Sequence, residues 1–369
     1  MVENAYESAS TTKGSARATA KSAPPSVAAA AATTTASFVT VARGAPTEAQ
    51  KITPELIEAA KKEGKASWYT SVDLPVAEKV AKAFEAAYPG ISMKVERSGA
   101  ERIFQRIGQE YQSKIYVCDV VNSSDAAHLI IWKRANMLAS FLPEDVAQHF
   151  PKEHWDPDGM YASWRVTLSP IAYNTSLVKA ADAPKGFNDL LDPKWVGKIV
   201  KAHPGYSGTI MTATQQLSRD LGWGYFEKLA KQKVMQVQSA ADPPKKLALG
   251  ERAVMADGGE YVITELKARG EPVEEVYALE GTPLITGPSA VMARAANPNA
   301  ARLFYAWSMT AAAQQMNVDV GGMRSAHPMV KERPDRKKLS EIKTLREDAA
   351  AVADQADDIK AHYTKLFKV

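Results

Sequence analysis

The chain has 369 residues, and its 46 basic and 42 acidic side chains give a formal net charge of +4. These charges are well mixed and no basic run is interleaved with aromatic residues, which argues against a nucleic-acid-binding protein. A chain of this length is too long for one ordinary hydrophobic core, so two lobes are expected. The single cysteine, Cys118, rules out an internal disulfide and a cysteine-rich metal site.

The first 50 residues differ in composition from the rest of the chain. Residues 8–47 contain no acidic side chain and are dominated by Ala, Ser and Thr, so they cannot bury enough apolar surface to fold. We predict that residues 1–50 are a disordered leader or a processed targeting segment. The apolar run 27–32 is followed by three threonines and makes an atypical secretory signal. An organellar transit peptide and a misassigned start codon are the alternatives.

After residue 52, strand and helix patterns alternate along the chain. The first set comprises a strand at 66–71, a helix at 76–87, a strand at 91–95, a helix at 103–111 and a strand at 116–121. Apolar residues at helical spacing predict the helices, and Pro89 and Gly90 end the first of them. This order indicates a mostly parallel sheet with right-handed crossovers. Cys118 falls in the last strand, where we expect a small buried side chain.

A second set of alternating elements follows. It comprises strands at 198–202, 234–238 and 253–256 and helices at 210–221, 242–249 and 260–269. The stretches 165–172 and 276–292 lack helical periodicity and are predicted to cross between the lobes. We therefore predict one α/β lobe inserted in another, with lobe 1 formed by 51–165 and 286–369 and lobe 2 by 166–285. A long helix at 299–316 and a polar tail are predicted to return to lobe 1.

Four predicted strand-to-helix turns are rich in small polar residues. They are TSVDLP at 70–75, SGAE at 98–101, NSSD at 122–125 and HPGYSGT at 203–209. In open α/β sheets, ligands lie beyond the carboxyl ends of strands, where helix N-termini favour an anionic group. Each turn is also explained by helix capping alone, with Asp73 as a cap and Ser98 with Glu101 as a capping box. Four such turns at one sheet edge favour an anion-binding cleft.

Catalytic patterns are weak in this sequence. The six histidines are scattered, and neither HExxH, GxSxG, a P-loop nor GxGxxG is present. An enzyme on a two-lobed scaffold would need a nucleophile and a base that meet across the cleft. His203 near Ser207 is the one pair in the sequence that could supply them. No catalytic residue and no cofactor are predicted.

Several phrases, in chain order, resemble a known family. They are WYTS at 68–71, DVVNSSDA at 119–126, SPIAYNT at 169–175, FNDLLDPKWVGKI at 187–199, GE at 250–251 and GPSA at 287–290. From about residue 52 to 367, the chain resembles periplasmic solute-binding proteins of ABC importers, specifically the ferric-iron-type extracellular family. The resemblance implies two α/β lobes that close on a ligand like a hinge, and recognition by a membrane permease. It also implies a periplasmic monomer that binds a small-molecule solute.

The resemblance and the turns together give the candidate ligand-binding residues. They are Tyr69, Ser71, Ser98, Ser124, Tyr173, Ser207, Gly208, Thr209 and Tyr261. Within them, the run 207–209 resembles the family's anion loop at a helix N-terminus. Arg102 and Arg165 are candidate countercharges, with surface salt bridges as the alternative.

The sequence departs from the iron-binding pattern of that family. Iron-binding members usually carry two consecutive tyrosines, whereas this chain has Tyr261 followed by Val262. Valine supplies no hard oxygen donor for Fe(III). By the resemblance, Asp73 stands where many members have a histidine ligand, and Glu101 or its neighbour Arg102 lies where a second ligand is found. Asp73, Glu101 and Tyr261 are therefore the weak metal candidates. We expect a small organic anion or an anionic metal chelate, with direct ferric binding and an enzyme on the same fold as alternatives.

Overall fold

The computed structural model describes residues 48–369. The predicted leader therefore lies outside the described residues, except for its last three positions. The strands are β1 (Ala49–Gln50), β2 (Lys65–Thr70), β3 (Ser92–Arg97), β4 (Val120–Asn122), β5 (Leu142–Pro143), β6 (Ala162–Leu168), β7 (Ile171–Asn174), β8 (Ile199–Ala202), β9 (Met235–Val237), β10 (Val254–Met255), β11 (Val273–Val276), β12 (Thr282–Val291) and β13 (Thr344–Leu345). The helices are α1 (Pro54–Glu63), α2 (Leu74–Ala87), α3 (Ala100–Gln112), α4 (Ala126–Arg134), α5 (Glu144–His149), α6 (Gly208–Leu221), α7 (Trp223–Ala230), α8 (Asp242–Ala248), α9 (Glu260–Ala268), α10 (Pro298–Ser308), α11 (Ala311–Gly321) and α12 (Ala349–Phe367).

The first sheet has the order β13-β12-β4-β2-β3, with β6 also paired to β12. Strand β2 runs parallel to β3 and β4, whereas β12 runs antiparallel to β4 and β6. The predicted strand–helix–strand–helix–strand order from β2 to β4 is therefore confirmed. Large aromatic side chains fill the core on one face, where the Trp68 ring lies 5.7 Å from Trp164 and 5.2 Å from Phe304.

The second sheet has the order β11-β7-β10-β8-β9. Strand β8 runs parallel to β9 and β10, and β7 runs antiparallel to β10 and β11. The predicted alternation of β8, α6, β9, α8, β10 and α9 is confirmed. Its separate core includes Phe187, Tyr225 and Phe226.

The chain passes between the two sheets twice, once at Ser169 and Pro170 and once within residues 277–281. Both passages fall inside the predicted crossovers. The Ser169 N–H donates to the Pro283 carbonyl at 2.9 Å, which holds the two crossing segments together. We call the part built on the first sheet the first lobe and the part built on β7 to β11 the second lobe.

Two expectations for the C-terminal part were wrong. The predicted long helix is broken into α10 and α11, because the Thr310 hydroxyl accepts a hydrogen bond from the Ala313 N–H and starts a new helix. The polar tail does not return to the first lobe alone. It ends in α12, which packs against α4 of the first lobe and against α6 and α7 of the second. Within residues 48–369, no helix is both long and apolar enough to cross a membrane.

A buried ion pair ties α9 to the segment that follows α11. Arg324 donates through Nε and Nη2 to the two Glu260 carboxylate oxygens, both at 2.8 Å, and the Tyr277 hydroxyl donates to the same carboxylate at 2.7 Å. Glu260→Gln is expected to lower the free energy of unfolding by about 3 kcal/mol, because it leaves a buried guanidinium short of countercharge. Urea denaturation measures the change. Tyr277→Phe removes only one hydrogen bond and should cost about 1 kcal/mol, so equal losses would contradict the interpretation.

Candidate anion-binding cleft

The polar turns of the two sheets meet in a narrow cavity between the lobes. The first lobe contributes Ser71, Gly99, Ala100, Ser124 and Arg165, and the second contributes Tyr206, Ser207, Thr209, Ser239, Ala240, Ala241 and Tyr261. The cavity lies where the strands of both sheets end and the following helices begin. This is the place at which open α/β sheets bind their ligands.

Two long helices begin at this cavity. Helix α3 starts at Ala100, and its N-cap residue Gly99 carries no side chain that could satisfy the first N–H groups. Helix α6 starts at Gly208, and the Ser207 hydroxyl accepts a hydrogen bond from the Ile210 N–H at 3.4 Å. The partial positive charge of each helix N-terminus favours an anion in the space between them.

Arg165 is the buried cation of the cleft. It lies on β6 with 2% of its surface exposed, and its guanidinium donates to Asn122 Oδ1 at 3.0 Å and to Ser71 Oγ at 3.4 Å. Within residues 48–369 it forms no ion pair with a carboxylate, and its Nε has no hydrogen-bond partner. Burial lowers the pKa of Arg165 to about 10, so the group stays protonated at neutral pH. A buried charge with only neutral partners is costly, and a bound anion would remove that cost.

Two further arginines reach from the first lobe to the second. Arg97 donates to Ser239 Oγ at 3.0 Å, and Arg102 donates to Gln238 Oε1 at 2.6 Å while lying over the Tyr206 ring. In the described part of the chain, neither forms an ion pair with a carboxylate. The positive charge at the cleft is therefore not neutralised by these contacts.

Five of the nine predicted ligand-binding residues line the cavity. They are Ser71, Ser124, Ser207, Thr209 and Tyr261. Gly208 lies beside them, where α6 approaches the first lobe so closely that a Cβ atom there would be 2.6 Å from Asp125 Cβ. Burial raises the pKa of the Tyr261 phenol, and the backbone N–H of Asp73 donates to it.

The other three predicted residues do not line the cavity. Alternate residues of β2 face opposite sides of the sheet, and Tyr69 is on the side covered by α3. There its hydroxyl donates to Glu110 Oε1 at 2.6 Å. Tyr173 packs in the core of the second lobe. Ser98 lies one residue before the N-cap of α3, which is Gly99. The predicted capping box is therefore wrong.

The Glu101 carboxylate contacts two side chains rather than the helix backbone. Its Oε1 is 2.9 Å from His128 Nε2, and its Oε2 accepts from Lys360 Nζ at 2.7 Å. His128 Nδ1 is 2.9 Å from Ser123 Oγ. Donor atoms of Glu101, Asp125 and His128 lie within 4.8 Å of one another. The Lys360 ammonium already supplies the countercharge of this group, which explains the cluster without a metal ion.

The three weak metal candidates do not gather around one point. Asp73 does not cap α2 with its side chain, because its carboxylate accepts from Lys245 Nζ at 3.0 and 3.1 Å across the cleft. Glu101 is held by His128 and Lys360, and Tyr261 alone of the three lines the cavity. A single phenol is a poor donor set for Fe(III).

His128 is expected to make the stability of the protein depend on pH. Burial alone would lower its pKa, but the hydrogen bond with Glu101 and the charges of Asp125 and Glu101 outweigh burial and raise the pKa above its ordinary 6.5, against a smaller opposing effect of Lys360. A raised folded-state pKa stabilises the fold below the unfolded pKa, and this contribution is lost as pH rises through the folded pKa.

We therefore expect the stability difference between wild type and His128→Gln to shrink as pH rises above the ordinary histidine pKa of about 6.5. Urea denaturation over a series of pH values measures the difference. His154→Gln is the control, because burial lowers the pKa of His154 and its contribution has the opposite sign. A stability difference for His128→Gln that does not change with pH would contradict the assignment.

The one candidate catalytic pair is not formed. His203 Nδ1 accepts from the Gly205 N–H at 2.8 Å, and its Nε2 lies 3.5 Å from Thr364 Oγ1. Burial, aided by the Lys201 charge, lowers the pKa of His203 to about 4. Ser207 Oγ meanwhile caps α6. The cleft combines helix N-termini, hydroxyl groups and arginines, a set of groups chemically suited to an anion, and these two residues supply no nucleophile–base pair.

The comparison with known families decides the class of protein. The family described as bacterial extracellular solute-binding protein matches residues 79–344. This chain belongs to that family. The resemblance seen in the sequence is thereby confirmed, and this chain is a solute-binding protein of the ABC importer type.

Solved structures similar to this solute-binding protein share its fold. The periplasmic binding protein AfuA from Actinobacillus pleuropneumoniae, solved with exogenous fructose-6-phosphate bound, has a TM-score of 0.76 and 23% sequence identity, over 83% of this chain and 99% of that chain. Iron-bound HitA from Pseudomonas aeruginosa has a TM-score of 0.71 and 21% identity, over 82% and 99%. An uncharacterized protein of Haemophilus influenzae is 27% identical over 139 residues, which span 37% of this chain and 40% of that relative.

Sequence reasoning missed part of the site of this solute-binding protein. The sequence does not predict the turn formed by Ser239, Ala240 and Ala241 ahead of α8, which lines the cavity. Nor does it predict Arg97, which donates to Ser239 Oγ. That turn follows β9 and consists of small residues, so it carries the same signal as the four turns that were recognised. Arg97 ends β3 and gives no such signal, because its role depends on contact with the other lobe.

Proposed function

We propose that this protein binds a small anionic solute between its two lobes and delivers it to an ABC permease, as a periplasmic monomer. The solute is an organic anion or an anionic metal chelate. The single observation that carries this proposal is Arg165, a buried guanidinium at the cavity with no carboxylate partner in residues 48–369. The N-termini of α3 and α6 add to its positive potential.

Hinge closure is part of the proposal. The predicted division into 51–165 with 286–369 and 166–285 stays a prediction, with α12 in contact with both lobes, and the crossing segments would bend to bring the lobes together. In the present arrangement the lobes are linked across the cleft by Asp73 with Lys245, by Arg97 with Ser239 and by Arg102 with Gln238. Each contact is polar and solvent can replace it on opening, which suits a cleft that must admit and release its solute.

A similar protein supports an anion as the solute. AfuA carries fructose-6-phosphate in its structure, which is an organic anion. Direct binding of ferric iron is the second candidate function, because the similar protein HitA was solved with iron bound. Tyr261 in the cavity favours that candidate, whereas Val262 and the engaged carboxylates of Asp73 and Glu101 oppose it.

A thermal-shift screen of the purified full chain, dialysed free of ligand, tests the proposal. The panel holds inorganic phosphate, hexose phosphates, phosphonates, small carboxylates, ferric salts with and without citrate, amines and neutral sugars. Binding to the native state alone raises the melting temperature by mass action. We expect a shift with an anion that Ser207→Ala reduces and Ser176→Ala, at an exposed site of the second lobe, does not. A shift only with free ferric ion, or only with a neutral or cationic compound, would overturn the anion proposal.

A further inference from the structure

Helix α12 spans both lobes beside the cleft. Its apolar side chains Val352 and Ile359 pack in one cluster with Ala127 of the first lobe and Met211 of the second. The helix follows β13, which pairs with β12 at the point where the chain re-enters the first lobe. An element in this place must lose its contacts with one lobe if the lobes separate.

The C-terminal half of α12 is anchored in the second lobe. Tyr363 is fully buried in that lobe's core, and its hydroxyl donates to Gln236 Oε1 at 3.1 Å. The Phe367 ring stacks on Tyr363 at 4.2 Å, and the His362 ring stacks on Trp223 at 3.9 Å. Separating α12 from the second lobe would expose these rings to water, which the hydrophobic effect opposes.

The same half of α12 reaches the first lobe through one buried carboxylate. Lys360 Nζ donates to Glu101 Oε2 at 2.7 Å, and Glu101 is 3% exposed. Glu101 follows Ala100, which lines the cavity, so this contact joins the lobes next to the cleft. Within residues 48–369, Arg134 with Asp354 is the other ion pair between α12 and the first lobe. Both side chains are more than half exposed, so this pair contributes little.

We propose that Lys360 and Glu101 form a latch that holds the lobes together, even before the solute binds. Helix α12 moves with the second lobe because its rings are buried there, and on opening it loses the latch together with its apolar packing against α4. The pair touches no solute. It positions the lobes for binding by raising the fraction of molecules in the closed form, and solute affinity rises with that fraction.

Distances between spin labels on the two lobes test the latch without any ligand. Glu78 on α2 and Arg269 at the end of α9 are exposed and become the labelled cysteines, whereas Cys118 is buried and stays unlabelled. Pulsed electron paramagnetic resonance on the ligand-free full chain measures the closed fraction as the share of the short distance that this structure specifies.

We expect Lys360→Met to lower the closed fraction about threefold, the effect of losing one charged hydrogen bond after partial screening by solvent. Lys360→Arg should restore it. Lys365→Met is the matched control, since Lys365 lies exposed on the same helix. Glu101→Gln should act as Lys360→Met does, and the double variant should show no larger change. Glu101→Gln also tests the latch if the Lys360→Met protein does not fold.

Three results would overturn the latch. They are a wild type without the short distance, a Lys360→Met chain that folds and keeps the wild-type distribution, and a Lys365→Met chain that opens as much. Because no solute is present, these results do not depend on whether the anion proposal holds.

Discussion

Arg165→Met is expected to lower the affinity for the anionic solute by about 100-fold or more and to leave the free energy of unfolding unchanged or higher. The guanidinium is buried beside neutral partners, Asn122 and Ser71, so removing the charge takes away a desolvation cost as well as an anion contact. Methionine keeps an unbranched apolar chain on β6, which limits any cavity. Isothermal titration with the anion identified by thermal shift, together with urea denaturation, measures both quantities.

Arg102→Met is the control for this prediction. Arg102 is exposed and donates to Gln238 at the rim of the cleft, so its loss should weaken binding less than about tenfold. An Arg165→Met protein that binds the anion as wild type does would contradict the role of Arg165. A protein that binds normally but unfolds more easily would make Arg165 a structural residue instead.

Gly99→Ala is expected to hold the lobes apart and to weaken solute binding by about tenfold or more. A Cβ atom at Gly99 would lie 2.7 Å from the backbone oxygen of Tyr206 in the other lobe, and a backbone atom cannot rotate away. The φ of Gly99 is −62°, so alanine adopts this conformation without backbone strain. Losing glycine at the N-cap should lower stability by only about 0.5 to 1 kcal/mol.

Small-angle scattering in the presence of solute measures whether the Gly99→Ala protein still closes, and titration measures its affinity. Gly108→Ala in the interior of α3 is the matched control, because nothing lies within 4 Å of a Cβ atom there. It should raise stability by up to about 1 kcal/mol through helix propensity and leave binding unchanged. If the Gly99→Ala protein closes and binds solute as wild type does, the two lobes do not approach as closely at Gly99 as described here.

Local pattern was enough to predict the α/β alternation and where most elements begin and end. Strands β2, β3 and β4 and the helices between them follow from apolar periodicity and from turn residues such as Pro89 and Gly90, which act within a few positions. The same local chemistry pointed to Ser71, Ser124, Ser207 and Thr209, because small polar residues mark the start of a helix after a strand. It failed for Tyr69 and Tyr173, since which face of a two-sided sheet is exposed depends on neighbours elsewhere in the chain.

Thus the residues themselves determined two α/β lobes, polar turns at the ends of strands and membership in a solute-binding family. Only the tertiary structure decided which charges are paired. The sequence predicts that Glu101 caps a helix, yet its carboxylate accepts a hydrogen bond from Lys360, which lies 259 positions away. Arg165 is a candidate countercharge in the sequence, with a surface salt bridge as the alternative. That it is buried and forms no ion pair within residues 48–369 is seen only in the folded first sheet. Burial and charge pairing depend on distant segments, so these properties of the cleft cannot be derived from local sequence.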